Sequence, residues 1–222
     1  MWAVLAAAGR GERLGSDRPK AFARLGGRPL LAEPLERLEN SAWIDRIVIA
    51  APADWEEPSI LVAEEIAATK VNSAVTGGAT RSESVRLALE DVPEDAAVVL
   101  VHDAARPFLP EEVIERVLAP LSEGVEAVVP ALPVADTVKR VEGDRVVETL
   151  PRDDLVAVQT PQAFLGDSLR RALSGDVSGA TDCASLVEAQ GGQVRVVAGD
   201  PRLLKVTNAD DLAIVESWLG AR

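Results

Sequence analysis

Residues 4–20, VLAAAGRGERLGSDRPK, constrain this chain more than any other stretch. They open as a short apolar run, which suits a buried strand, and then break at Gly9, Gly11 and Gly15. Glycines at such a break let the backbone turn tightly and bring its N–H groups close to a ligand. Cations follow at once. From 10 to 28 there are six (Arg10, Arg13, Arg18, Lys20, Arg24, Arg28) against two acids, Glu12 and Asp17. The whole chain carries a formal charge of −13, so this local excess runs against its background. A glycine turn at a strand end, followed by cations, reads as a polyphosphate site, with solvated arginines around a plain turn as the alternative.

Two common phosphate motifs are excluded. A P-loop needs a glycine followed by lysine, and none occurs in this stretch. The dinucleotide fingerprint G-x-G-x-x-G puts Leu14 where its third glycine belongs, with Gly15 one residue late. That fold also wants an acid at the end of the second strand, and the second strand here (46–51) runs into Ala51-Pro52.

At 222 residues and 47% hydrophobic composition the chain can bury a sizeable core as one α/β unit, and disorder is excluded. Its apolar runs are too short to span a bilayer, and the start shows no signal-peptide charge pattern. One cysteine, Cys183, excludes an internal disulfide and a cysteine metal cluster, which with the rest points to the cytoplasm. A pI near 4.6 argues against nucleic acid or an anionic membrane as partner.

Strand-like runs alternate with amphipathic helical stretches, which predicts an α/β fold: a mostly parallel sheet with helices on both faces. Strands are expected at 46–51, 71–75, 97–101, 126–132, 155–158, 193–198 and 203–206. Helices are expected at 30–39, 58–68, 80–90, 110–118, 167–173, 181–190 and 208–219, with Thr80 and Thr181 as caps. The rhythm breaks at 137–141 and 146–150, two short strands around Glu142-Gly143-Asp144-Arg145 with no helix between them. Such a unit is too small to bury its own core and reads as a projecting β-hairpin arm.

Ligands of open α/β sheets sit at the C-terminal strand ends, which gathers 9–20, 77–84 and 102–106 into one neighbourhood. Asp103 and Arg106 offer a carboxylate and a fork for a phosphate there, or a loop cap. His102, the single histidine, has no Ser or Cys placed beside it by spacing, and reads as packed rather than as a base. Cys183 reads as a small buried helix residue. Lys205, alone in the apolar run LLKVT, either meets an anion or snorkels to the surface.

AAAGRGERLG with RPK, then VHDAARP, DTVKR, TPQAF, ATDCAS and LLKVT, follow in order over nearly the whole chain. Together they resemble the 2-C-methyl-D-erythritol 4-phosphate cytidylyltransferases of the non-mevalonate isoprenoid pathway. Ribitol-5-phosphate cytidylyltransferases look similar, and a nucleotide-sensing binding domain is the non-enzymatic alternative. The resemblance implies a Rossmann-like nucleotidyltransferase fold in a single domain over 1–222, with a homodimer clasped through an arm at about 134–153. It also implies a Mg²⁺-dependent attack of the acceptor phosphate on the α-phosphorus of CTP, with the metal held mainly by the CTP phosphates.

Carried onto this sequence, the resemblance assigns CTP binding to Ala7, Ala8, Gly9, Arg10, Gly11, Gly78, Ser84 and Asp103. Arg13, Lys20 and Lys205 would face the α-phosphate as catalytic cations. Asp103, Arg106 and Thr160 would meet the acceptor, a polyol phosphate, with Thr137 and Arg152 supplied by the partner's arm. Thr181 and Asp182 would support the site from behind. Two positions depart from the family pattern: Ala79 stands where an acid is expected, and Cys183 where ATDEAS would have Glu.

Overall fold

The computed structural model describes residues 1–11, 14 and 18–219. Parallel strands β1 (Trp2–Ala6), β4 (Arg46–Ala51), β5 (Val71–Thr76) and β6 (Val98–Asp103) build half of the main sheet. Between β1 and β4 the chain makes a small antiparallel ribbon, β2 (Arg24–Leu25) with β3 (Arg28–Pro29), and then helix α1 (Ala32–Asn40). Helices α2 (Glu56–Glu65) and α3 (Arg81–Ala88) flank β5 in sequence, and α4 (Glu111–Leu118) follows β6. Then come β7 (Ala127–Pro133), the hairpin β8 (Val138–Glu142) and β9 (Arg145–Leu150), β10 (Val156–Val158) and β11 (Gln162–Leu165). Helices α5 (Gly166–Leu173) and α6 (Cys183–Ala189), strand β12 (Val194–Ala198) and helix α7 (Ala209–Leu219) complete the described chain.

The sheet order is β10-β7-β11-β6-β1-β4-β5, with β12 parallel to β7 on its other side. β1, β4, β5 and β6 are parallel neighbours, as the alternating pattern predicts, whereas β10 and β11 run antiparallel. Alternate strand residues enter two cores. Leu5, Ile47, Ile49 and Leu100 pack against α1, α2 and α4, while Val4, Val48, Val99 and Val101 pack against α3, α5 and α6. Each such fully buried aliphatic side chain contributes about 1.5–3 kcal/mol by leaving water. Helices therefore cover both faces. A third cluster, Leu25, Leu30, Phe108, Val206 and Val215, seats α7 against the β2–β3 ribbon.

Three expectations need correction. The 203–206 stretch is not a strand: a 3₁₀ turn covers Pro201–Leu203, started by Pro201 and capped by the Asp200 carboxylate, and extended chain follows. The helix expected at 181–190 is capped one residue later, by Asp182, whose side chain accepts from the Ser185 N–H at 2.9 Å. β11 was not expected at all, because QAFL is four residues long and carries no alternation. The hairpin is as expected, with Gly143 in the left-handed region at φ 62° supplying the turn.

Candidate active site

The registers level the C-terminal ends of four strands. Ala6 pairs with Ala50 of β4 and with Asp103 of β6, and Ala51 pairs with Thr76 of β5. Backbone bonds continue past those ends, Ala7 N–H to Ala50, Gly77 N–H to Ala51 and Ala104 N–H to Ala6. From β1 the chain winds out to β4 and β5, then returns on the other side of β1 as β6. That reversal is the switch point where an open α/β sheet leaves a crevice. A cleft of about 270 Å³ lies there.

Ala7, Ala8, Gly9, Arg10 and Lys20 line this cleft from the β1 loop, Gly78 from the β5–α3 turn and Ser84 from α3, and Asp103 and Lys205 complete it. The β1 loop folds back so that the Lys20 N–H donates to the Gly9 carbonyl at 3.3 Å. Gly11 sits at φ 71°, and a Cβ on it would meet the Lys20 Cβ at 2.7 Å, so only glycine suits that close approach. Gly77 is equally constrained: an added Cβ would lie 2.3 Å from the Ala8 Cβ. On the facing turn, the Ser84 hydroxyl accepts from the Gly78 N–H at 3.0 Å and donates to the Thr80 carbonyl at 2.8 Å. Thr80 caps α3 as expected, accepting from the Glu83 N–H at 3.1 Å. Glu83 in turn accepts from the Ala79 N–H at 2.8 Å, which places a carboxylate on the loop whose expected acid is Ala79. Arg13 lies outside the described residues.

Asp103 is the electrostatic centre. Its Oδ1 accepts from Arg81 Nε and its Oδ2 from Lys205 Nζ, each at 2.7 Å. Burial by itself opposes a charge on this carboxylate. The Arg81 and Lys205 cations overcome that cost and hold its pKa far below the usual carboxylate range. Arg81 was missed by sequence reasoning. It stands at the first turn of α3, where a solvated arginine is ordinary, and nothing local shows that it meets a residue 22 positions away. Its Nη1 lies 3.4 Å from the Cys183 sulfur, and burial raises the pKa of that thiol against the pull of Arg81.

The antiparallel run of β11 brings its start to the C-terminal end of β6, so Thr160 meets both His102 and Asp103. The Thr160 hydroxyl accepts from the Asp103 N–H at 3.0 Å. His102 Nε2 faces the Arg106 carbonyl at 3.0 Å, an acceptor only, so that nitrogen carries the proton. Nδ1 then accepts from the Thr160 hydroxyl at 3.2 Å. His102 is 0% exposed and fully bonded as a neutral ring, which is the packed role rather than that of a base. Burial pushes its pKa down to about 4 from 6.5.

That shift has a sign. The unfolded chain takes up a proton near pH 6.5 and the folded chain only near 4, so this stability is complete above 6.5 and falls as pH drops between the two. The loss reaches roughly 3 kcal/mol for this group. Denaturant midpoints at pH 7 and pH 4.5 should therefore differ more for the wild type than for His102→Gln. Equal differences would refute this.

Arg106 is beside the cleft but turned into the protein: its Nη1 donates to the Leu203 carbonyl at 2.6 Å, tying β6 to the turn before Lys205. The Val206 N–H bonds the Ala105 carbonyl at 2.8 Å, which fixes Lys205 against Asp103. Thr137 and Arg152 do not line the cleft of their own chain. Both are exposed, and Arg152 donates to the Ala135 carbonyl at the base of the hairpin. Asp182 caps α6 and accepts from Gln162 at 2.7 Å, while Thr181 is exposed.

A glycine-rich loop and cations at the switch point of such a sheet define a nucleotide-binding α/β protein. The family model of IspD, 2-C-methyl-D-erythritol 4-phosphate cytidylyltransferase, matches residues 1–221, and the chain belongs to that family. A cytidylyltransferase of this name from Saccharopolyspora erythraea is 48% identical over 221 residues, 98% of each chain. One from Frankia casuarinae is 46% identical over 218 residues, 98% of this chain and 80% of that one. Among solved structures, the 4-diphosphocytidyl-2C-methyl-D-erythritol synthase of Anaerococcus prevotii superposes with a TM-score of 0.84 at 28% identity, covering 99% of this chain and 97% of that one. The cytidylyltransferase of Thermus thermophilus does so with 0.78 at 34%, covering 98% of both. The chain is thus an enzyme of CTP-dependent cytidylyl transfer in isoprenoid biosynthesis.

Proposed function

We propose that the chain transfers the cytidylyl group of magnesium-bound CTP to 2-C-methyl-D-erythritol 4-phosphate by in-line attack, in a site completed by a second copy of itself. The observation that carries this is the convergence of Lys20, Lys205 and Asp103 on a cleft walled by the glycine loop. An oxygen of the acceptor phosphate forms a bond to the α-phosphorus. The bond from that phosphorus to the bridging oxygen breaks, and pyrophosphate leaves. Little covalent chemistry is asked of the protein; positioning and fixed positive charge do the work.

In this reading Ala7, Ala8, Gly78 and Ser84 frame the cytosine, and the loop through Gly9, Arg10, Gly11 and Arg13 takes the triphosphate. Lys20 and Lys205 face the charge that develops at the α-phosphate. Asp103 orients hydroxyls, and Arg106 and Thr160 back it. Among the described residues no group of three or more His, Cys, Asp or Glu is arranged to cage an ion. Mg²⁺ would enter with CTP, held mainly by phosphate oxygens as is usual for that ion.

The hairpin supports the dimer. Its strands are exposed along nearly their whole length, and Val141, Val146 and Val147 show apolar surface to solvent, joined by Val156, Val158 and Val196 on β10 and β12. A two-stranded hairpin is marginal alone, and an isologous contact would cover these valines while lending Thr137 and Arg152 to the neighbour. On this reading the chain is one unit over 1–222 with a dimerisation arm at about 134–153. Among the described residues no helix is long and apolar enough to cross a membrane, and the one cysteine, buried and unbridged, suits the cytoplasm.

The test is pyrophosphate release across CTP, UTP, ATP and GTP, with methylerythritol phosphate, ribitol phosphate or no acceptor, with and without chelator. Stoichiometric release is expected only with CTP, methylerythritol phosphate and Mg²⁺ together. Equal or faster turnover with ribitol 5-phosphate would overturn the acceptor, and tight CTP binding without turnover would favour the sensing domain.

A further inference from the structure

The two cations on Asp103 are not equivalent. Lys205 is the solvent-side partner, its side chain 43% exposed, whereas Arg81 is 19% exposed and Asp103 only 7%. If Lys205 gives up Oδ2 to turn its ammonium wholly to the α-phosphate, a nearly buried carboxylate keeps a single counter-charge. Arg81 is placed to remain. Its Nε holds Oδ1, and its Nη1 neighbour is an uncharged thiol, so among the described residues Asp103 is the only acid with which it forms an ion pair. Its Nη2 is buried and has no hydrogen-bond partner among them.

We propose that Arg81 is a positioning residue: by holding Asp103 Oδ1 it keeps that carboxylate fixed and charge-balanced while Lys205 moves from Oδ2 to the nucleotide phosphates. The proposal rests on the roles assigned above to Asp103 and Lys205. Removing a buried partner leaves the other charge uncompensated, which locks Lys205 onto Asp103 as its sole cation. The effect then falls on turnover rather than on ground-state CTP binding.

The experiment compares Arg81→Met, Arg81→Lys and Asp103→Asn by steady-state kinetics, with calorimetric CTP affinity and melting midpoints for each. Misplacing a reacting group by an ångström costs on the order of 10²-fold, so Arg81→Met should lose about 10² in kcat with KM for CTP changed little. Arg81→Lys, which keeps the charge but not the fork, should recover roughly a tenth of wild-type kcat. If Arg81→Met does not fold, Arg81→Lys carries the test, and a wild-type kcat in that variant overturns the proposal. A rise in KM alone in Arg81→Met, or a wild-type kcat beside an inactive Asp103→Asn, overturns it too. An Asp103→Asn enzyme as active as the wild type would instead sink the role given to Asp103, and the proposal with it.

Discussion

Lys20→Ala should lower kcat by roughly 10²–10³, with a much smaller change in KM for CTP, the usual loss for one preorganised electrostatic stabiliser. Its backbone already closes the glycine loop, through the bond to Gly9 and the 3₁₀ turn Lys20–Phe22 that buries Ala21 and Phe22. Alanine leaves that turn intact, so the deficit belongs to the ammonium and not to the fold. Preorganisation is the reason to expect a kcat effect. On the role proposed above, the charge stands at the α-phosphate position before substrate arrives and gains most when the transition state spreads negative charge there. Rapid-quench and steady-state kinetics on the variant decide it. A change confined to KM would make Lys20 a nucleotide anchor.

Mixing two inactive variants should restore activity. Take Lys20→Ala and Arg152→Ala, each nearly inactive alone, and let the subunits exchange. In a mixed dimer one site carries both lesions, while the other joins an intact Lys20 to an intact Arg152 lent by its partner. Random exchange makes about half of the dimers mixed, each with one working site, so activity should return to roughly a quarter of wild type. The expectation comes from placement: Arg152 is exposed at the base of the arm and does not line the cleft that holds Lys20 in its own chain. No recovery, with exchange confirmed by mass spectrometry, would mean that Arg152 serves its own subunit and that the shared site is wrong.

The candidate site was legible where local chemistry suffices. Glycines after an apolar run mark a loop whatever the rest of the chain does, and cations beside it mark an anion. Gly9, Lys20, Gly78, Ser84, Asp103 and Lys205 accordingly share one cleft, as their motifs suggested. Arg81 escaped notice because an arginine in the first turn of a helix has no local signature of burial. Its importance comes from Asp103, which only the level ends of β5 and β6 across β1 and β4 bring near. The bonds of Thr160 to His102 and Asp103 were likewise hidden, because they depend on the β11 that follows it, four residues without alternation that gain their strand from pairing on both sides.

By itself the sequence determined the alternation of strand and helix, the glycine loop, the cap at Thr80, and the break at the hairpin. Each follows from side-chain periodicity, backbone freedom or a hydrogen bond a few residues long. Tertiary structure decided the rest: the antiparallel entry of β11, the turn rather than strand before Lys205, the neutral buried ring of His102, and the pairing of Asp103 with Arg81 and Lys205. These depend on register and on which charges lose water together. A carboxylate 102 residues from its lysine acquires its chemistry only when the sheet closes around both.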